Sequence, residues 1–382
     1  MKKTFYFALV TATLFEVLNV FFIMPMPGSQ EMASIKIAYF LYSWRWIFRI
    51  GLLGMALGAF FFSHWQYKWI PLISLAVWAG VTFMFNFKMS ADRMFYQPEK
   101  LSMKPAAENK VDSSRLIIGI ADGEHAKAYP IQFIGYHHQV KDSLGDKPVM
   151  ITYCTVCRTG RVFEPLVEGQ QEEFRLVGMD HFNAMFEDKN TRSWWRQVNG
   201  EAIAGKKKGS FLPEIPSSQM TLAQWLKFYP HSLIMQPDSA FTETYDRMKN
   251  FETGKSKGSL TRRDSLSWQN KSWVVGIEIG GNSKAFDWNC LQNDRLIQDK
   301  IGSISILLVL ATDSVSFFAY QLPSDTFLFD LREDTLFHQN IKYNLKGQAL
   351  PPATAVQNLQ RINAYQEFWH SWRTFHPLTT QN

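Results

Sequence analysis

The sequence predicts an α-helical membrane anchor of three transmembrane helices followed by a mostly β (α+β) domain built from two related repeats. Three observations predict it. Long apolar runs are confined to the first 87 residues, short alternating runs broken by turn residues begin at Arg115, and the stretch starting at Ile118 aligns without a gap on that starting at Val275. The overall 46% of hydrophobic residues is ordinary, so the membrane signal lies in their distribution.

The anchor occupies residues 1–91. Residues 4–26 are apolar apart from Glu16, residues 46–63 carry only Arg49, and residues 69–87 carry no charge before Lys88. Each run is about the length an α-helix needs to cross roughly 30 Å of hydrocarbon. A cleaved signal peptide is the competing reading of the first run, because Lys2 and Lys3 precede it. The run is longer than a signal core, lacks a small-x-small cleavage site and is followed by two more spans, so a retained anchor is expected. Glu16 within a span is costly unless paired or protonated; Arg49 is the nearest partner, and a neutral acid at a helix contact is the alternative.

Three spans put the N-terminus and the long C-terminal part on opposite sides. Lys2, Lys3 and Lys68 fall on one side and Lys36, Arg45, Lys88 and Arg93 on the other, a count that by itself places the C-terminal part in the cytoplasm. The net charge of +6 implies no more than attraction to anionic headgroups. No nucleic-acid motif is present, so the expected partner is the lipid bilayer rather than nucleic acid.

Residues 92–114 form a polar connector with Pro98 and Pro105. The first repeat is expected over 115–205, a linker with a helix at "TLAQWLKFYP" and a mobile polar loop over 206–272, the second repeat over 273–350, and a C-terminal helix over 351–382. The internal alignment has an offset of 157 and pairs Gly119 with Gly276, Gly123 with Gly280, Asp142 with Asp299 and Gly145 with Gly302. It also sets Cys154 opposite Ala311, Cys157 opposite Ser314 and His137 opposite Asp294. The scaffold is therefore expected to form without thiols or imidazole, which favours a functional role for them. Burial as small hydrophobes is the alternative.

The thiols lie in "MITYCTVCRTGRVF", Met150 to Phe163; the chain's other cysteine is Cys290. "HHQVKDSLGDKPVMITYC" reads as a β-hairpin, and pairing Asp142 near Pro148 or Val149 brings His137 opposite Tyr153 or Cys154. Two thiols and an imidazole suit copper or zinc, or thiol exchange in which His137 activates a cysteine. No helix is expected after the cysteines, which disfavours a thioredoxin-like site, and the second C-x-x-C of a closed zinc site is absent. Met179 and His181, two apart on a strand, offer a thioether and an imidazole toward copper; the alternative is a core methionine and a turn histidine. Trp194, Trp195, Arg196 and Glu201 either line a pocket or pack in the core.

The ordered motifs "AYPIQFIGYHHQVKDSLGDKPVMITYCTVCRTGRVF", "GMDHFNAMFEDKNTRSWWRQVNGEAIAG" and "EIPSSQMTLAQWLKFYPHSLIM" resemble the bacterial and archaeal family called domain of unknown function 3179, over roughly Leu116 to Met235. The family's histidine before the hairpin corresponds to His137 and its cysteine pair to Cys154 and Cys157. The family often carries Pro-Leu between the cysteines and glycine after them; here Thr155, Val156 and Arg158 stand instead. The resemblance implies a secreted or membrane-attached domain and supplies no activity.

Two functions follow as expectations. One is a membrane-anchored extracytoplasmic protein of the bacterial inner membrane, its C-terminal domain outside, using Cys154, Cys157 and His137 for copper binding or thiol redox with a protein or metal-donor partner. The other is a noncatalytic binding or assembly module in which the C-x-x-C is a structural disulfide or metal clip. The extracytoplasmic placement follows the Met1-Lys2-Lys3 start and the resemblance, against the charge count.

Overall fold

The computed structural model describes residues 1–351 and 357–382. The chain divides into two compact units, Met1–Tyr96 with Val167–Phe211, and Gln97–Leu166 with Leu212–Asn382.

In the first unit, α1 (Lys2–Phe21), α2 (Ile35–Phe61) and α3 (Trp69–Phe83, continued by a π-helical turn Met84–Lys88) supply three stretches long and apolar enough to cross a membrane. α1 buries one side through Phe5, Ala8, Leu9, Ala12 and Phe15, and meets α2 where Ala56 and Ala59 are also buried. Small side chains let helix backbones approach where lipid gives no hydrophobic drive for association. Most of α2 and α3 leaves its apolar side chains exposed, as lipid-facing surfaces do. Glu16 is ionically paired: Arg49 donates to both its carboxylate oxygens at 2.8 Å, and Asn86 Nδ2 donates at 2.6 Å.

The same unit holds an antiparallel sheet in the order Ala202–Ala204, Trp194–Arg196, Asn183–Asp188, Phe174–Asp180. It docks on the loop after α1, where Met179 N–H donates to Ile23 carbonyl at 2.8 Å. Gly178 makes this possible, since a β-carbon there would lie 2.3 Å from that carbonyl oxygen. Residues 167–205 thus belong with the membrane helices, not with the remainder of the stretch 115–205 expected as one repeat.

In the second unit one run of elements occurs twice. Leu116–Asp122, His125–Pro130, the helix Ile131–His137 and Gln139–Leu144 are matched 157 residues later by Trp273–Ile279, Asn282–Asp287, the helix Trp288–Asp294 and Leu296–Ile301. Further on the offset is 147: Ser218–Thr221 and the helix Leu222–Phe228 are matched by Tyr365–Phe368 and the helix Trp369–Phe375. Leu233–Met235 runs parallel to His125–Pro130, and Thr380–Gln381 runs parallel to Asn282–Asp287. Even the ion pairs correspond, Lys127 with Asp142 at 2.9 Å and Lys284 with Asp299 at 2.6 Å. One core cluster joins both halves, packing Ile118, Tyr153 and Trp225 with Leu307, Val309 and Tyr320.

The halves hold one another reciprocally. Phe368 N–H donates to the Cys157 carbonyl at 2.9 Å, and Thr221 N–H donates to Ser316 Oγ at 2.9 Å. Each turn that closes a second hairpin is thereby fastened by the strand end of the other half.

Several local expectations change. Asp142 pairs with Val149 as expected, but the strand begins at Gln139, and His137 ends the helix Ile131–His137. His138, not His137, is fixed opposite Tyr153, its carbonyl accepting from Tyr153 N–H at 3.0 Å. Near the start of the polar loop expected to be mobile, Phe251 and Glu252 are buried and their carbonyls accept from Arg158. The C-terminal helix comprises Trp369–Phe375, after the strands Gln360–Ile362 and Tyr365–Phe368; the part of that expectation over 352–356 falls outside the described residues.

Candidate functional site: a buried dithiol knuckle

The strand Lys147–Cys154 turns through Thr155, Val156, Cys157 and Arg158 into Thr159–Phe163. Arg158 closes the turn at φ +58°, a left-handed conformation that glycine adopts without strain and other residues rarely do. The arginine offsets that strain by reaching across the unit. Its guanidinium lies 3.8 Å from the Trp273 ring centroid, donates to Gln366 Oε1 at 2.9 Å, and donates to the Phe251 and Glu252 carbonyls at 3.3 and 3.1 Å.

Cys154 and Cys157 are both fully buried, and no disulfide joins them. Cys154 and Ser371 are the side chains that neighbour the Cys157 thiol. Burial, then the neighbouring Cys154 thiol, pushes the Cys157 thiol well above its usual range. Ser371 Oγ donates to Glu367 Oε2 at 2.8 Å, and Glu367 Oε1 accepts from Arg161 at 2.9 Å, so the polar chain leading away from the sulfurs ends on a buried ion pair.

The cation beside this pair is Lys271. Its ammonium donates to the Val156 and Leu260 carbonyls at 2.7 Å each and stands 4.6 Å from the Phe368 ring centroid. Burial lowers its pKa to about 8, against the pull of the Cys157 and Cys154 sulfurs. Lys271, Ser371 and Glu367 were not found by sequence reasoning. They lie more than a hundred residues from the cysteines and carry no spacing signal.

The structure does not gather the sequence-predicted ligands into a metal centre. Among the described residues no group of three or more His, Cys, Asp and Glu side chains is placed to hold an ion, whereas a closed zinc site takes four such donors. His137 shares a hydrogen bond of 2.7 Å with Tyr245 hydroxyl and packs edge-on against Phe241 and Tyr245. His138 is buried with Nδ1 2.7 Å from the Tyr153 carbonyl, and burial lowers its pKa to about 4.

Met179 and His181 belong to the other unit. Met179 is buried and pairs with Ala184, while His181 and Phe182, at φ +50° and +67°, form the tight turn of the hairpin. His181 Nδ1 lies 2.7 Å from Asp180, whose hydrogen bond raises the imidazole pKa; Asp180 is also paired with Arg196 at 2.6 Å. Trp194 and Trp195 are core residues whose indole N–H groups donate to Glu187 and Asp188.

What the knuckle can do chemically is limited to its two sulfurs. Adjacent thiols can close to a disulfide by losing two protons and two electrons, and a nearby ammonium favours the thiolate through which exchange proceeds.

No curated protein and no solved structure matches the chain. The family described as "Protein of unknown function (DUF3179)" matches residues 97–379. The match extends the resemblance read from 116–235 across the second run of elements, and includes the knuckle together with Lys271, Glu367 and Ser371. Covering well over half of its length, the match shows that this chain belongs to the DUF3179 family.

Proposed function

We propose that this chain is a membrane-anchored thiol protein whose Cys154–Cys157 pair passes between dithiol and disulfide. The observation that carries the reading is the placement of two fully buried free cysteines three residues apart on one tight turn between adjacent strands. In the exchange, a disulfide of an extracytoplasmic protein partner is reduced to two thiols while Cys154 and Cys157 lose two protons and form the S–S bond. Lys271 takes the activating role expected of His137, and does so only once the knuckle opens, since in the closed state burial holds the Cys157 thiol well above its usual range. Because the thiols are buried, reaction requires the segment over the knuckle, Tyr365–Phe368, to open first. Placement of this domain outside the cytoplasm, on the bacterial inner membrane, accords with stable disulfide chemistry. Activity only in the cytoplasm for a reporter fused after residue 382 would overturn that placement.

A second reading is favoured by the burial itself: a noncatalytic binding or assembly module in which the cysteines pack the contact between halves. The donor set falls short of a closed zinc site. The test is equilibration of the full Cys290→Ser chain, in detergent, with dithiothreitol or glutathione redox buffers. A single reversible two-electron transition in the native state supports the redox reading. Thiols that resist oxidation until the protein unfolds, or a disulfide reducible only in denaturant, support the structural one.

A further inference from the structure

The first unit contains a cavity of about 650 Å³, within the size range of small-molecule sites. Its walls come from all three membrane helices, from the sheet residues Arg175 and Val177, and from Arg192 in the turn before Trp194–Arg196. One part of the lining is apolar, with Trp46, Leu53, Trp78 and Phe85. The other part is strongly cationic.

Five arginines line it: Arg45, Arg49, Arg93, Arg175 and Arg192. Three of these are neutralised, Arg49 by Glu16, Arg175 by Asp92 and Glu187, and Arg192 by Glu187. Among the described residues no carboxylate forms an ion pair with Arg45 or Arg93. Arg45 instead lies 3.8 Å from the Tyr42 ring centroid and donates to the Tyr42 carbonyl at 2.5 Å. Two positive charges are thus left over in a cavity whose other wall is hydrocarbon-like.

The cavity lies toward one end of the bundle. Glu16, Asn19 and Val20 are in the last turns of α1, and Asn86, Ser90 and Arg93 lie at or just beyond the end of α3. That is the depth of phospholipid headgroups rather than of chain termini. An ion or water-soluble anion would satisfy the arginines and leave the aromatic wall exposed to water, whereas an anionic lipid satisfies both.

We propose that this cavity is a binding site for one anionic phospholipid, its phosphate held by Arg45 and Arg93 and its acyl chains lying against Trp46, Leu53 and Trp78. Guanidinium groups match phosphate in charge and fork geometry, and basic pockets between membrane helices are a known form of headgroup recognition.

The test uses the full chain in nanodiscs of phosphatidylcholine with or without phosphatidylglycerol, followed by detergent extraction and native mass spectrometry of retained lipid. One phosphatidylglycerol retained per chain in preference to phosphatidylcholine is expected. Arg45→Gln with Arg93→Gln should lower that preference about tenfold, while Lys68→Gln should not change it. Equal retention of both lipids by the wild-type chain overturns the proposal without reliance on any variant. Binding of inorganic phosphate that displaces no phosphatidylglycerol, with no lipid preference, assigns the arginines to a free anion and also overturns it.

Discussion

Trp372 covers Gly276 so closely that a β-carbon on the glycine would sit 2.1 Å from the indole Cε3, and Trp225 covers Gly119 in the same way at 2.5 Å. Each indole is fixed from its far side, Trp372 by Thr379 Oγ1 and Trp225 by Ser232 Oγ, both at 2.8 Å. Neither ring is free to retreat, so Gly276→Ala should destabilise the domain by about 1–3 kcal/mol through overpacking. Thermal unfolding in detergent measures this. An unchanged midpoint would show that the helix Trp369–Phe375 shifts at no cost.

Arg158 trades backbone strain for long-range contacts. Arg158→Gly relieves a left-handed conformation worth about 1 kcal/mol but strands the Glu252 carbonyl and takes one of two donors from the Gln366 oxygen, which keeps Gln219 Nε2, and from the Phe251 carbonyl, which keeps Gly254 N–H. Buried unpaired acceptors cost about 1–3 kcal/mol each, so the variant should be less stable overall. A gain in stability would mean that water replaces the guanidinium.

Cys290 is exposed while Cys154 and Cys157 are fully buried. Native labelling with iodoacetamide should therefore modify Cys290 first, with the pair reacting only as the knuckle opens. Mass spectrometry of the time course resolves the two phases, and rapid labelling at all three positions would contradict the burial.

Glu16→Ala leaves Arg49 without its carboxylate. Removing one partner of a buried ion pair costs about 3–5 kcal/mol, and Glu16→Gln should cost less because an amide oxygen still accepts. Denaturation in mixed micelles compares the two, and equal losses would point to packing rather than charge.

Lys271 has an ordinary pKa of 10.5 and a folded value of about 8. Between these pH values the unfolded chain holds more protons at this position than the folded one, so stability rises with pH there; below about 8 the full penalty of burying the ammonium is present. His370, lowered from 6.5 to about 3 by burial and then by Lys271, acts with the same sign in its own window, losing stability as pH falls from 6.5 toward 3. Lys271→Met should flatten the alkaline slope of a pH–stability profile. A slope that persists in the variant assigns it to another group.

The sequence by itself determined whatever depends on local period and length. Apolar runs of spanning length gave three helices, with Glu16 and Arg49 alone within their reach as partners. Alternation around "SLGDK" set the pairing of Asp142 with Val149, and the offset of 157 paired Gly119 with Gly276, the two positions that carry the tryptophans. Alternation failed one step before the hairpin, because Pro130 opens a helical turn in which Ile131 and Ile134 face the core and His137 turns toward Tyr245. Only the tertiary structure decided the surroundings of the sulfurs. Lys271, Glu367 and Ser371 reach the knuckle because the second half folds its strand end over the first. Likewise Arg175 and Arg192 join the membrane arginines only when the sheet docks on the loop at Ile23. Contacts so distant along the chain are set by the packing of whole elements, which leaves no periodicity to read.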